Sequence, residues 1–93
     1  MLVIVKSAPD TTEGKRAVIF AKDMAADLVC LQNGVYFVSG AGLDNFSGKV
    51  YVLDEDLRIR GLSDGKIGKD ITKVDYDTLV DLMAESDKVV GMF

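Results

Sequence analysis

Ninety-three residues make a chain of one domain's length, 48% hydrophobic and 28% charged, which is a foldable globular composition and not a disordered one. Eleven basic residues stand against fifteen acidic ones, and there is no histidine. The scattered cations argue against a direct grip on DNA or RNA, and without histidine neither a His-containing zinc site nor a Ser-His or Cys-His hydrolase is expected within one chain.

Met1 to Val5 is a short, β-branched apolar run of the kind buried on both faces of a parallel sheet. It leads directly to Lys6 without a basic start or a small-residue cleavage site, so no signal peptide is expected. No apolar stretch approaches the roughly 18–20 residues of a membrane span. After a loop broken by Pro9, one of Asp10, Thr11 or Thr12 is expected to cap a helix, with Glu13 in its first turn. Ala17, Phe20, Ala21 and Met24 fall on one face of that helix. Val18 and Ile19 widen the apolar surface, which serves either the sheet or a contact with another subunit.

Asp27 to Gln32 reads as a second strand and holds the only cysteine, Cys30. Asn33-Gly34 between apolar runs is the strongest local hairpin signal, with Val35–Val38 as the returning strand. The same pair also fits a strand that ends in a turn and a short helix. Ser39 to Gly48 is a glycine-rich loop; it lacks the third glycine of a dinucleotide fingerprint, so no cofactor is expected there. Lys49 to Leu53 is the third strand. Asp54 is expected to cap a short helix through Leu57 and Arg60, with Gly61 at its stop. Ser63 to Asp70 is a second polar loop, and Ile71 to Val74 a brief strand. Asp75 caps an amphipathic helix with Tyr76, Leu79, Val80 and Met83 on its buried face, and Asp77, Asp81 and Glu85 outside. Lys88 to Phe93 is the last strand. Alternating strands and helices predict one α/β domain over residues 1–93 with a largely parallel sheet.

Ligands and partners of such folds meet the loops after the strands, which start here near Lys6-Ser7, Asn33-Gly34, Asp54 and Asp75 and single out Ser7, Asn33, Gly34 and Asp54 as loop candidates. Asn33 tolerates a left-handed backbone and Gly34 removes side-chain bulk. Asp54-Glu55-Asp56 reads as a cap with favourable dipole charge rather than a magnesium or acid–base cluster. Arg60 suits a helix C-terminus or an ion pair with a carboxylate of the sheet end or of a partner. No metal ligands are identified.

Cys30 is the one candidate for covalent chemistry. A persulfide carrier needs an exposed thiol whose thiolate is stabilised by a helix N-terminus or a cation. Leu28, Val29 and Leu31 surround Cys30 in sequence instead, which fits a small buried hydrophobe.

Three blocks, "LVCLQNGV" (28–35), "KVYVLDEDLRIRGL" (49–62) and "VDYDTLVDLM" (74–83), occur in the order and spacing seen in the DsrH/TusB family, and the chain resembles that family over nearly its whole length. The resemblance implies a three-layer α/β/α DsrE-like fold around a parallel sheet of about five strands. It also implies strand, turn and helix at Asn33-Gly34 rather than a hairpin, and it places an Arg-Gly at Arg60-Gly61, which adds Arg60 to the partner- or ligand-facing candidates. Family members resemble small cytoplasmic subunits of a sulfur relay that assemble with TusC/DsrF-like and TusD/DsrE-like chains. The relay leads to 2-thiouridine formation in tRNA or to dissimilatory sulfur metabolism, and the sulfur-carrying cysteine lies mainly in the TusD/DsrE-like chain. Some members carry a cysteine in the first helix; the matching position here is Ala17. The resemblance therefore implies an accessory, non-catalytic subunit. A self-associating α/β protein and a sulfur carrier using Cys30 are the alternatives.

Overall fold

The computed structural model describes residues 1–39, 43, 46–62 and 70–91. Five strands form one sheet: β1 (Leu2–Val5), β2 (Asp27–Cys30), β3 (Val50–Leu53), β4 (Ile71–Val74) and β5 (Val89–Val90). Their order is β4-β3-β2-β1-β5, and every pair is parallel. Three α-helices, α1 (Thr12–Asp23), α2 (Asp54–Ile59) and α3 (Tyr76–Glu85), and a 3₁₀ segment (Gln32–Ser39) connect them. Half of the first glycine-rich loop and nearly all of the second, together with residues 92–93, lie outside the described residues.

Alternate residues of each inner strand serve opposite layers. Val3, Val5, Leu28, Cys30, Val50 and Val52 pack towards α1, the 3₁₀ segment and Leu57 of α2. Leu2, Val29 and Leu53 pack with Val74 towards Leu79 of α3. The chain steps one way from β1 to β4 and back across the sheet to β5, so right-handed crossovers put α3, alone among the described helices, on the second face. The three-layer α/β/α architecture expected from the resemblance is the one present.

The hairpin suggested by Asn33-Gly34 is absent, because both edges of β2 are already paired, with β1 and with β3. Val35, Phe37 and Val38 turn inward at helical spacing and are buried in the α1 layer. Three finer expectations also need correction. Met24 is 48% exposed: α1 ends at Asp23, and the chain then turns through Ala25 (φ +50°) into β2. Gly14, Ala17, Val18 and Ala21 form the buried face instead. Asp54 is the first residue of α2 and not its cap; its carboxylate pairs with Arg58 at 3.1 Å. On α3 only Leu79 is buried, whereas Tyr76, Val80 and Met83 face outward. The helix meets the sheet through Leu79 and half-buried Leu82, a narrower contact than its apolar pattern allows.

Other local signals act as expected. Thr11 caps α1, its Oγ1 accepting from the Gly14 amide at 3.0 Å and donating to the Ala8 carbonyl at 2.7 Å. Asp75 caps α3 by accepting from the Thr78 amide at 2.8 Å. Gly61 (φ +69°) closes α2 in a Schellman motif, with Gly61 N–H donating to the Arg58 carbonyl and Leu62 N–H to the Leu57 carbonyl.

Gly34 lies so close to β1 that a Cβ there would come within 2.3 Å of the Val5 carbonyl oxygen, whereas one at Gly61 meets open space. Gly34→Ala is therefore expected to destabilise the fold by about 1–3 kcal/mol through overpacking against backbone, and Gly61→Ala by about 1 kcal/mol through its left-handed φ alone. Urea unfolding of the two variants checks that order.

Candidate functional site at the C-terminal rim of the sheet

The rim is built from the residues that leave the strands. Leu31 N–H donates to the Val5 carbonyl at 2.9 Å, tying the end of β2 to the end of β1. The chain then enters a left-handed residue, which is Gln32 (φ +49°) and not Asn33. A non-glycine residue in this region costs about 1 kcal/mol unless its surroundings hold it. The holding group is Asp56 on α2, whose Oδ2 accepts from Gln32 N–H at 2.7 Å. Arg60, one turn further along, donates from Nε to Asn33 Oδ1 at 3.2 Å and from Nη1 to the Asp56 carbonyl at 3.2 Å. The Arg60 guanidinium also lies 3.7 Å from Asp56 Oδ1, with both side chains largely buried.

Asn33, Gly34 and Arg60 thus come together, as two sides of one shoulder between β2 and α2. Arg60 spends its charge inside the chain, on Asp56 and Asn33. The residue that reading the sequence assigned too small a part is Asp56; its spacing four residues before Arg60 was the available signal. Ser7, half-buried after β1, stands outside this hydrogen-bonded cluster. Asp54 lies on the other side of α2, in a cleft of about 280 Å³ shared with Glu55, Arg58, Asp75, Tyr76 and Asp77. Hydrogen bonding from Thr78 holds the Asp75 carboxyl below the usual carboxylate range, which suits a helix cap. Larger clefts lie away from the rim; one of about 380 Å³ sits at the opposite end of the strands, beside Met1, Asp27 and Glu85.

Cys30 is the last residue of β2, two positions before the shoulder, and points into the α1 layer. It is fully buried, and burial pushes its thiol from 9.0 up to about 12. Among the described residues, the side chains clustered with it in that layer are apolar, a setting that does not favour the thiolate. Ala17, in the first helix, is itself fully buried. Among the described residues no group of three or more acidic, cysteine or histidine side chains is arranged to hold a metal ion. None of the described helices is long and apolar enough to cross a membrane.

Two consequences are measurable. Asp56→Ala is expected to cost about 1–2 kcal/mol by freeing the Gln32 amide, while Arg60→Ala, which leaves that bond in place, costs less than about 1 kcal/mol; thermal and urea unfolding separate the two. Because the Cys30 thiol ionises at about 9 when unfolded and about 12 when folded, its contribution to stability is complete below pH 9 and declines as pH rises from about 9 towards 12. Cys30→Ala should flatten that part of the stability–pH curve, and the folded wild type should leave a neutral-pH thiol reagent unreacted.

Comparison with known proteins agrees with this architecture. A family model described as DsrH like protein matches residues 6–89. The crystal structure of the YchN protein from E. coli superimposes with a TM-score of 0.86 at 12% identity, covering 98% of this chain and 97% of that one. The solution structure of Tm0979 from Thermotoga maritima gives a TM-score of 0.64 at 29% identity, with 94% of each chain covered. No curated protein matches the sequence. At 12% identity the first likeness speaks for the fold alone.

Proposed function

The chain belongs to the DsrH-like family, and on that premise we propose that it is a non-catalytic subunit of a DsrEFH/TusBCD-like sulfur-relay complex. The observation that carries the reading is Cys30. The one thiol in the sequence is locked in the apolar layer beneath α1, with its ionisation suppressed. Sulfur carriage requires a thiolate that a donor can reach, so the transferred sulfur resides on a cysteine of another chain. TusC/DsrF-like and TusD/DsrE-like chains are the partners, and 2-thiolation of the tRNA wobble uridine in the cytoplasm is the process served. Contact with the RNA falls to other components, since this chain has a net charge of −4.

In this role the chain contributes surface. The rim shoulder is stiffened by hydrogen bonds that link the end of β2 to α2, and it presents a fixed outline beside Ser7 and Gly34. Such a surface shapes the surroundings of a partner's reactive cysteine without supplying a reacting group.

Affinity purification of the tagged protein from its host, followed by incubation with a persulfide donor and mass spectrometry of the intact chains, tests the proposal. DsrE- and DsrF-like chains are expected to co-purify, with a one-sulfur mass gain on the DsrE-like chain and none on this one. A one-sulfur gain on Cys30 of the folded protein would make it a carrier and refute the accessory role.

A further inference from the structure

Asn33-Gly34 carries a reactivity that the proposed role leaves unused. Asn33 is one of two asparagines in the chain and the only one followed by glycine. Glycine has no side chain to shield its amide nitrogen, so an Asn-Gly bond in an open chain rearranges readily. The Gly34 nitrogen gives up its proton and attacks Asn33 Cγ. The new N–Cγ bond closes a five-membered imide, and the Cγ–Nδ2 bond breaks as Nδ2 takes a proton and leaves as ammonia. Water then opens the imide at either carbonyl, leaving aspartate or isoaspartate at position 33. Water enters and ammonia departs, and no oxidant or reductant takes part.

The closed rim opposes each part of that step. Asn33 lies in the 3₁₀ segment. The ψ typical of such a helix, roughly −20 to −30°, keeps Cβ about a quarter-turn from the eclipsed arrangement with the next nitrogen that ring closure needs. Gly34 is buried, and its amide spends its proton on the Leu31 carbonyl at 2.8 Å. The Asn33 side chain is exposed, but Arg60 Nε at the end of α2 holds its Oδ1 at 3.2 Å. Asp56, through the Gln32 amide, fixes the backbone one residue earlier.

We propose that Asn33-Gly34 is a deamidation site gated by the rim shoulder: the Asp56–Gln32 and Arg60–Asn33 bonds hold it shut, and local opening of the shoulder exposes it to water. Conversion runs one way. An isoaspartyl link lengthens the main chain beside Gly34, where even one added carbon meets the Val5 carbonyl. The aspartyl product sets a second carboxylate beside Arg60, in competition with Asp56. The inference concerns this chain's own rim and is independent of the sulfur-relay reading.

Incubation of the folded protein at mildly alkaline pH, with peptide mapping of position 33 by mass spectrometry, tests it. A synthetic peptide of residues 31–36 in the same buffer supplies the unprotected rate, and wild type is expected to react at least about ten-fold more slowly. Asp56→Ala should raise the folded protein's rate about 5–30-fold, the rise in open population that follows from losing the Gln32 bond. Arg60→Ala, a milder change that keeps the test open if Asp56→Ala does not fold, should raise it by a smaller factor. Leu82→Ala loosens the far face of the sheet and should leave the rate within about two-fold of wild type. Wild type that reacts as fast as the peptide, or shoulder variants that react no faster than wild type, would overturn the proposal. So would a Leu82→Ala rate that rises in proportion to its loss of urea stability, for the route would then be global unfolding.

Discussion

β1 and β2 each have hydrogen-bonded neighbours on both sides, and all those neighbours run parallel. That constraint governs the rest of the molecule. A parallel neighbour can be reached only by a crossover that returns the chain to the other end of the sheet. Every strand exit therefore gathers at one rim and every strand entry at the other. Strands in this position also need apolar residues on both faces, which is why β1 and β2 read as nearly continuous apolar runs. Cys30 is one member of such a run, and its inertness follows from its place and not from any particular neighbour.

The same constraint explains where local reading of the sequence succeeds and where it fails. Strands, caps and helix stops are encoded within a few residues: Thr11, Asp75 and Gly61 each act through partners no more than four residues away. The turn at Asn33-Gly34 is different. Its local pattern suits a hairpin, and what forbids one is the pairing of β2 with β3, whose residues lie some twenty positions further on. The left-handed residue is likewise chosen by a distant carboxylate, Asp56, which captures the Gln32 amide from 24 residues away. Asn33 has the better intrinsic preference for that backbone, and tertiary context overrode it. The family resemblance resolved the turn, but no pattern within residues 28–35 identifies Asp56 as its anchor.

The two faces of the sheet are unequally covered. Among the described residues, α1, the 3₁₀ segment and α2 supply one layer, whereas α3 alone supplies the other. A helical apolar pattern states how much surface a helix offers, not which portion the fold takes up. On α1 the portion taken is Gly14, Ala17, Val18 and Ala21, small enough for the helix to lie close against β1. On α3 it is little more than Leu79, so residues that look like core from their spacing remain outside.

That economy on the second face has a bearing on how the molecule opens. α3 is anchored by one buried side chain, and β5 contributes only two paired residues to the edge of β1. The segment from Tyr76 to Val90 is thus held to the described body by few buried contacts, which is the character of a unit that opens locally. What its opening uncovers is the edge of β1 at Leu2 and Val3, the two residues that pair with β5. An edge of that composition is a template for strand addition by another chain. The brief closing strand is therefore a guard against aggregation as much as a fifth element of the sheet.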